Sequence, residues 1–326
     1  MRLLVTGGAG FIGSHVLRFL ASAYPDYTIV CADTLTYAAN YELIADLEEL
    51  PNYRFEKVDI TDKNSVEELF QKYGFTHVLH LAAESHVDNS IKDPLAFAKT
   101  NVLGTLNLLE AARTYFKDET CLFYHISTDE VFGSLDKTGS FSENTAYAPR
   151  SPYSASKASS DHFVRAYGET YGLPYMISNC SNNYGPGQHR EKLIPTVIAS
   201  VLSGNPIPVY GTGSNVRDWL YVEDHVKAID MILHQGTAME TYCIGGAAEL
   251  SNLELVHQLV DEIDKQLGNT EGNSTSLISF VEDRKGHDFR YAIDHSKLTK
   301  DLGWKPTTSL QEGLKTTVSW YLNRMK

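Results

Sequence analysis

What most limits the fold of this chain stands at its start. The apolar run Leu3–Thr6 passes directly into Gly7-Gly8-Ala9-Gly10-Phe11-Ile12-Gly13, and an amphipathic segment follows to about residue 23. Gly7, Gly10 and Gly13 permit a tight turn, the approach of a pyrophosphate to backbone, and close packing of helix on strand. The helix that begins there turns free N–H groups and the positive end of its dipole toward the phosphates. A glycine string alone could be a plain β–α turn. Here Asp33 also closes the second apolar run, about twenty residues past the last glycine, where a carboxylate holds the adenosine ribose. A carboxylate at that point accepts hydrogen bonds from both ribose hydroxyls and repels a 2′-phosphate. Thr34–Asn40 contains no arginine to reverse the preference, so the expected ligand is NAD rather than NADP.

The first 180 residues keep up this alternation. Strands are predicted at Leu3–Thr6, Thr28–Ala32, Arg54–Val58, His77–Leu81, Thr120–Ser127 and Tyr175–Asn179, with helices near 11–23, 62–72, 95–116 and 153–171. Apolar strands alternating with helices of that length give βαβ units and a parallel sheet covered on both faces. The fold class expected is α/β: a doubly wound parallel (Rossmann) sheet with a second, smaller α/β substrate-binding domain. We place the NAD-binding domain at 1–184, with returning segments near 216–246, and the smaller domain at 185–326. Thr128–Pro152 has no apolar periodicity, and a loop that long inside a compact domain is usually functional. Gly268–Ser276 reads as a polar, mobile surface loop.

Composition removes several partners. A net charge of −13 over 326 residues offers no basic face for nucleic acid or for an anionic membrane surface. No run approaches the ~20 apolar residues of a membrane span. Three of the four cysteines sit in apolar runs and none forms a CxxC pair, which fits small buried hydrophobes in a reducing cytoplasm. No histidine or cysteine spacing matches a metal site.

Two local patterns carry chemistry. Tyr153 and Lys157 stand four apart where a helix should begin, so they share a face, and a lysine beside a phenol favours phenolate. A phenolate can take the proton of a substrate hydroxyl as hydride leaves the carbon. The same spacing at Tyr53 and Lys57 falls in a predicted strand, where residues four apart do not meet. Thr128-Asp129-Glu130 follows the strand CLFYHIS, at the edge where ligands bind in doubly wound sheets. Two adjacent carboxylates there are either a solvated loop start or an acid and a base whose pKa values are held apart.

Together with LAAESHVD, Thr100-Asn101, SPYSASK, SNNYGP, RDWLYVEDH and GHD, these segments resemble the nucleoside-diphosphate-sugar dehydratases of the extended short-chain dehydrogenase family, from TGGAGFIG to LGWKP. The closest branch is the 4,6-dehydratases of a nucleoside-diphosphate glucose, with thymidine expected as the base and uridine the alternative. Thr128-Asp129-Glu130 separates this branch from 4-epimerases, which keep the glycine loop and the Tyr/Lys pair. A non-catalytic NAD sensor is the alternative from another class, but it need keep none of these groups.

The resemblance implies that Tyr153, helped by Lys157, deprotonates the C4 hydroxyl while NAD takes hydride from C4. Glu130 would remove the C5 proton, Asp129 would protonate the departing C6 hydroxyl, and hydride would return to C6. Thr128 would hydrogen-bond the C4 oxygen. NAD would be held by Gly7, Gly10, Phe11, Ile12, Gly13, Asp33, Leu35 and Thr36, by Asp59 and Ile60, by Leu81, Ala82, Ala83, Ser85 and Thr100, and by Tyr153, Lys157 and Asn183. The nucleotide sugar would be held by Ser85, His86, Thr128, Asn182, Lys192, Leu193, Arg217, Asn252, Arg284 and His287. His189-Arg190 stand where a Phe-Pro pair is common, and Lys285 where a proline is. Relatives pair as homodimers through a four-helix bundle, for which the helices near 95–116 and 153–171 would serve.

Overall fold

The computed structural model describes residues 1–324. Its twelve strands are β1 (Arg2–Thr6), β2 (Thr28–Asp33), β3 (Tyr53–Lys57), β4 (His77–His80), β5 (Leu122–Thr128), β6 (Tyr175–Cys180), β7 (Asn182–Tyr184), β8 (Ile207–Tyr210), β9 (Val216–Tyr221), β10 (Thr241–Ile244), β11 (Glu249–Ser251) and β12 (Ile278–Val281). Seven form one parallel sheet in the order β10-β6-β5-β4-β1-β2-β3. Leu3, Leu4 and Val5 of β1 are wholly buried, because helices cover both faces and leave no polar side to alternate with. The chain runs outward from β1 to β3 and then crosses back to β4. The strand order therefore reverses between β1 and β4, where ligands settle in such sheets. Tyr53–Lys57 is β3, so the second Tyr/Lys spacing lies in a strand.

Beyond β6 a separate core gathers Tyr184, Ile198, Trp219, Leu255, Leu259 and Val318. It lies among helices Leu193–Ser203, Asn252–Leu267 and Leu310–Arg324. β7, β9 and β11 make a three-stranded sheet beside it, and β8 pairs with β12. β9 thus belongs to the small sheet, whereas β10 joins the main sheet beside β6. Among the described residues no helix is long and apolar enough to cross a membrane.

Three local expectations change. The predicted helix 95–116 is interrupted: Pro94–Phe97 passes into a π-helical turn, Ala98–Gly104, before Thr105–Tyr115. A tertiary contact helps hold the wide turn: the Asn101 carbonyl accepts from Ser160 Oγ of the neighbouring helix as well as from Thr105 Oγ1 one turn on, each at 2.6 Å. Thr128–Pro152 begins with a 3-10 turn, Asp129–Phe132, and bridges to the C-terminal region at Leu135–Arg290 and Phe141–Ile293. Gly268–Ser276 is tied down: buried Ser274 donates its N–H and hydroxyl to Asp264 at 2.8 and 2.7 Å.

Candidate active site

The glycine loop, Asp33, the Leu81–Ser85 segment and Thr128-Asp129-Glu130 all stand at the carboxyl ends of the parallel strands, and helix Pro152–Tyr171 brings Tyr153 and Lys157 to the same edge. There a cavity of about 400 Å3 runs from the glycine loop to the Thr128 segment. All the residues assigned to NAD line it except Leu35. Leu35 instead takes a left-handed conformation (φ 58°) that lets its N–H reach Asp33 Oδ1 at 2.8 Å. Asp33 Oδ2 accepts the Ala9 N–H at 3.0 Å. Each carboxylate oxygen thus holds one backbone donor and keeps capacity for a ribose hydroxyl.

The residues fit a dinucleotide at the phosphate end as well. Helix Phe11–Ala23 has no side-chain cap and no acidic residue in its first turn, so its terminal N–H groups and dipole are free for an anion. Gly7 has φ 72°, and a Cβ there would stand 2.6 Å from the backbone of Ala82. Bare backbone is thereby brought together from the ends of β1 and β4.

A second cavity, of about 290 Å3, shares Ser85, Glu130, Asn182, Asn183 and Lys192 with the first and faces the small core. All the residues assigned to the nucleotide sugar line it except Thr128, which lines the first. Arg217 is only 7% exposed, lies 4.3 Å over the Tyr291 ring, and donates to the carbonyls of Val216 and Asp288 at 2.7 and 3.0 Å. Lys192 Nζ donates to the Ser85 carbonyl at 3.0 Å. Arg284 pairs with Asp88 at 2.6 Å and stacks on Tyr210, whose hydroxyl also donates to Asp88. Asp88, Tyr210 and Tyr291 escaped the sequence reading. Asp88 lies inside LAAESHVD and was within reach, whereas nothing local marks the two tyrosines. His189 lines the first cavity, edge-on to Tyr37 at 5.7 Å, while Lys285 is exposed and lines neither.

Tyr153 sits in the first turn of helix Pro152–Tyr171, whose start is fixed by Pro152 at the first position and a Ser151/Ser154 capping box. Burial pushes its phenol well above the ordinary range, the Glu130 charge adds to this, and the Thr128 hydroxyl offsets part. Lys157, one turn on along the same helix, lines the same cavity. Its ammonium donates to the Ile126 carbonyl at 2.8 Å, and burial lowers its own pKa against the opposing charge of Asp161.

The two carboxylates differ. Asp129 is 1% exposed, its Oδ2 has no partner, and its pKa is driven well up by burial and then by the charges of Glu130 and Asp218. Glu130 opens on both cavities. Burial raises it too, but Lys192, Arg217 and Arg284 pull the other way. One neighbour is held as an acid and the other is drawn toward a base.

This arrangement has known counterparts. A family model described as GDP-mannose 4,6 dehydratase matches residues 4–317. The chain is 50% identical to dTDP-glucose 4,6-dehydratase of Salmonella typhimurium, over 99% of this chain and 93% of that one. Among solved structures, DesIV (dTDP-glucose 4,6-dehydratase) from Streptomyces venezuelae, with NAD bound, matches with a TM-score of 0.92 and 46% identity over 99% of this chain and 97% of that one. UDP-glucose 4-epimerase from Thermotoga maritima matches with a TM-score of 0.88, but at 31% identity, with both chains covered in full.

Proposed function

The chain belongs to the GDP-mannose 4,6 dehydratase family, and we propose that it converts dTDP-glucose to dTDP-4-keto-6-deoxyglucose and water with NAD as resident cofactor. NAD, when bound, supplies the hydride acceptor at C4 and the hydride donor at C6. The observation that carries the reading is the Asp129/Glu130 pair, buried to different degrees beside Tyr153 in one cavity. Elimination across C5–C6 needs a base and an acid at once, and an epimerase would leave both idle.

In this reading Tyr153 takes the C4 hydroxyl proton and Thr128 holds the oxygen as it becomes a carbonyl. Glu130 removes the C5 proton, which the new ketone has made acidic, and later returns a proton to that carbon. Asp129 protonates the C6 hydroxyl so that it leaves as water. The balance leaves Tyr153 one proton richer and Asp129 one poorer after each turnover. Thr128 Oγ1 donates to Asp129 Oδ1 at 3.3 Å and lies against the phenol, so it stands between the two groups that must be reset. Lys192, Arg217 and Arg284 supply the positive charge for the diphosphate.

The protein acts as a homodimer joined through a four-helix bundle. Supporting this, Pro94–Phe97, the π turn Ala98–Gly104 and helix Thr105–Tyr115 all pack on helix Pro152–Tyr171, and together these elements expose Leu95, Leu103, Phe163 and Tyr171, with Leu95 79% open. The compartment is the cytoplasm, a reading supported by four cysteines that are all free and buried. The division near residue 184 separates cofactor from substrate, the reaction taking place at the seam.

The test is product formation from dTDP-glucose by purified protein without added NAD, with UDP-glucose in parallel. A product lighter by one water from dTDP-glucose supports the reading. Faster turnover of UDP-glucose would keep the chemistry and change the base. No water loss from either, even with NAD supplied, would refute it.

A further inference from the structure

Beneath the reacting groups lies a buried charged cluster of which the proposed chemistry uses Lys157 alone. Lys157 and Asp161 stand one turn apart on helix Pro152–Tyr171, and His125 faces them from β5. Lys157 is 4% exposed, while His125 and Asp161 are fully enclosed. A single imidazole nitrogen meets both charges: His125 Nε2 lies 3.4 Å from Lys157 Nζ and 3.1 Å from Asp161 Oδ1. The ammonium can only donate and the carboxylate can only accept. A neutral ring cannot satisfy both at one nitrogen.

The surroundings decide which partner it serves. Asp161 Oδ2 accepts from Ser127 Oγ at 2.8 Å, Tyr147 OH at 2.7 Å and Asn179 Nδ2 at 3.3 Å, whereas Oδ1 has no hydrogen bond as placed, with the imidazole Nε2 lying 3.1 Å away. His125 Nδ1 has no partner. With its proton on Nδ1, the ring would bury an unpaired N–H and orphan a carboxylate oxygen together. With its proton on Nε2, the ring brings a donor within reach of Oδ1 and leaves only its own Nδ1 acceptor unpaired, which is the lesser loss. Burial and the nearby Lys157 charge lower the ring to a pKa of about 4, so it is neutral at ordinary pH. The other groups facing this cluster are His80 on β4, whose ring lies 5.1 Å from that of His125, Cys180 on β6, Tyr147 from the loop, and Arg165 on the helix.

We propose that His125 and Asp161 are positioning residues for Lys157. Asp161 fixes the Nε2–H tautomer of His125, which denies the ammonium an acceptor on the side away from the site. The Asp161 charge meanwhile keeps Lys157 protonated despite its burial. Lys157 is thereby left charged and free to turn toward the Tyr153 phenol when the hydroxyl of C4 is to be deprotonated. This deepens the proposed reaction and rests on its first step, in which Tyr153 is the base.

Asp161→Asn tests the proposal sharply, because the donors around Oδ2 require the amide oxygen there. The amide NH2 must then occupy the Oδ1 position and face His125 Nε2, which is forced to accept. Long-range 15N–1H NMR of the imidazoles, with His125 assigned by His125→Gln, reads the tautomer directly. Nε2 should carry the proton in the wild type and be bare in Asp161→Asn. The kinetic readout is NADH absorbance from dTDP-xylose, which lacks C6 and so stops after oxidation at C4. In Asp161→Asn the acidic limb of its pH profile should move up by about one unit, with about tenfold slower formation at pH 7 and an almost unchanged KM.

A bare Nε2 in the wild type overturns the proposal, with no variant needed should Asp161→Asn fail to fold. An unmoved pH profile in a folded variant overturns it too. Absence of NADH from the wild type would instead count against the proposed reaction, and would leave the tautomer result standing.

Discussion

Asp129 and Glu130 are consecutive residues in unlike settings: Asp129 turns into the protein with one oxygen unpartnered, and Glu130 opens toward Lys192, Arg217 and Arg284. Both pKa values are raised, Asp129 the more strongly and Glu130 against three cations. The proposed elimination needs Asp129 protonated and Glu130 ionised at once, and the stronger upward shift at Asp129 sets that order. A plot of kcat against pH should be bell-shaped, rising as Glu130 loses its proton above the ordinary carboxylate range and falling as Asp129 loses its own at higher pH. The two limbs belong to the pair. Glu130→Gln should lower kcat by about a hundredfold or more while dTDP-glucose still binds.

The same burial sets a stability trend. A carboxyl whose pKa is raised on folding contributes fully below its unfolded value near 3.8. The contribution is lost as pH rises through its folded value. Between these, each pH unit costs about 1.4 kcal/mol. Asp129→Asn should therefore gain on the wild type in urea midpoint as pH goes from 5 to 8. A constant difference across that range would mean that Asp129 ionises freely in the folded protein.

Gly7→Ala places a Cβ 2.6 Å from the Ala82 backbone, at φ 72°. Such strain costs about 1–3 kcal/mol and closes the path of the pyrophosphate. The variant should purify with little NAD, as measured by nucleotide released on acid denaturation. The exposed Gly139, with nothing within 4 Å of its added Cβ, serves as the control despite its own positive φ.

Arg217 combines a guanidinium stacked on Tyr291 with donors fixed by two carbonyls. Lysine keeps the charge but neither the plane nor the fork. Arg217→Lys should raise KM for dTDP-glucose by about tenfold or more with a smaller change in kcat, as read by initial rates.

What the sequence disclosed follows from where each function is encoded. The glycine loop, Thr128-Asp129-Glu130, and Tyr153 with Lys157 each lie within one turn or strand end, so spacing exposes them. Asp33 sits at the standard interval after the loop. The Asp88–Arg284 pair joins residues 196 positions apart, and His125 meets Asp161 across a strand and a helix; no local pattern marks either. The π turn at Ala98–Gly104 is not legible because its apolar spacing suits an ordinary helix, while Glu84, Ser156 and Ser160, all distant in sequence, bond Asn101. Gly268–Ser276 looks mobile by composition, yet Asp264 anchors it from the preceding helix. Spacing puts Lys157 and Tyr153 on one helix face and both line the same cavity, but it does not report burial, which pushes the resting phenol up.

The central claim is that hydride leaves C4 and returns to C6 of the same sugar. dTDP-glucose carrying deuterium at C4 tests it directly, with the product followed by 2H and 1H NMR. Deuterium in the C6 methyl group of a 4-keto product, with no loss to solvent, is the expected result. Deuterium retained at C4, with or without inversion there, would contradict the account and return the site to an epimerase or a binding role.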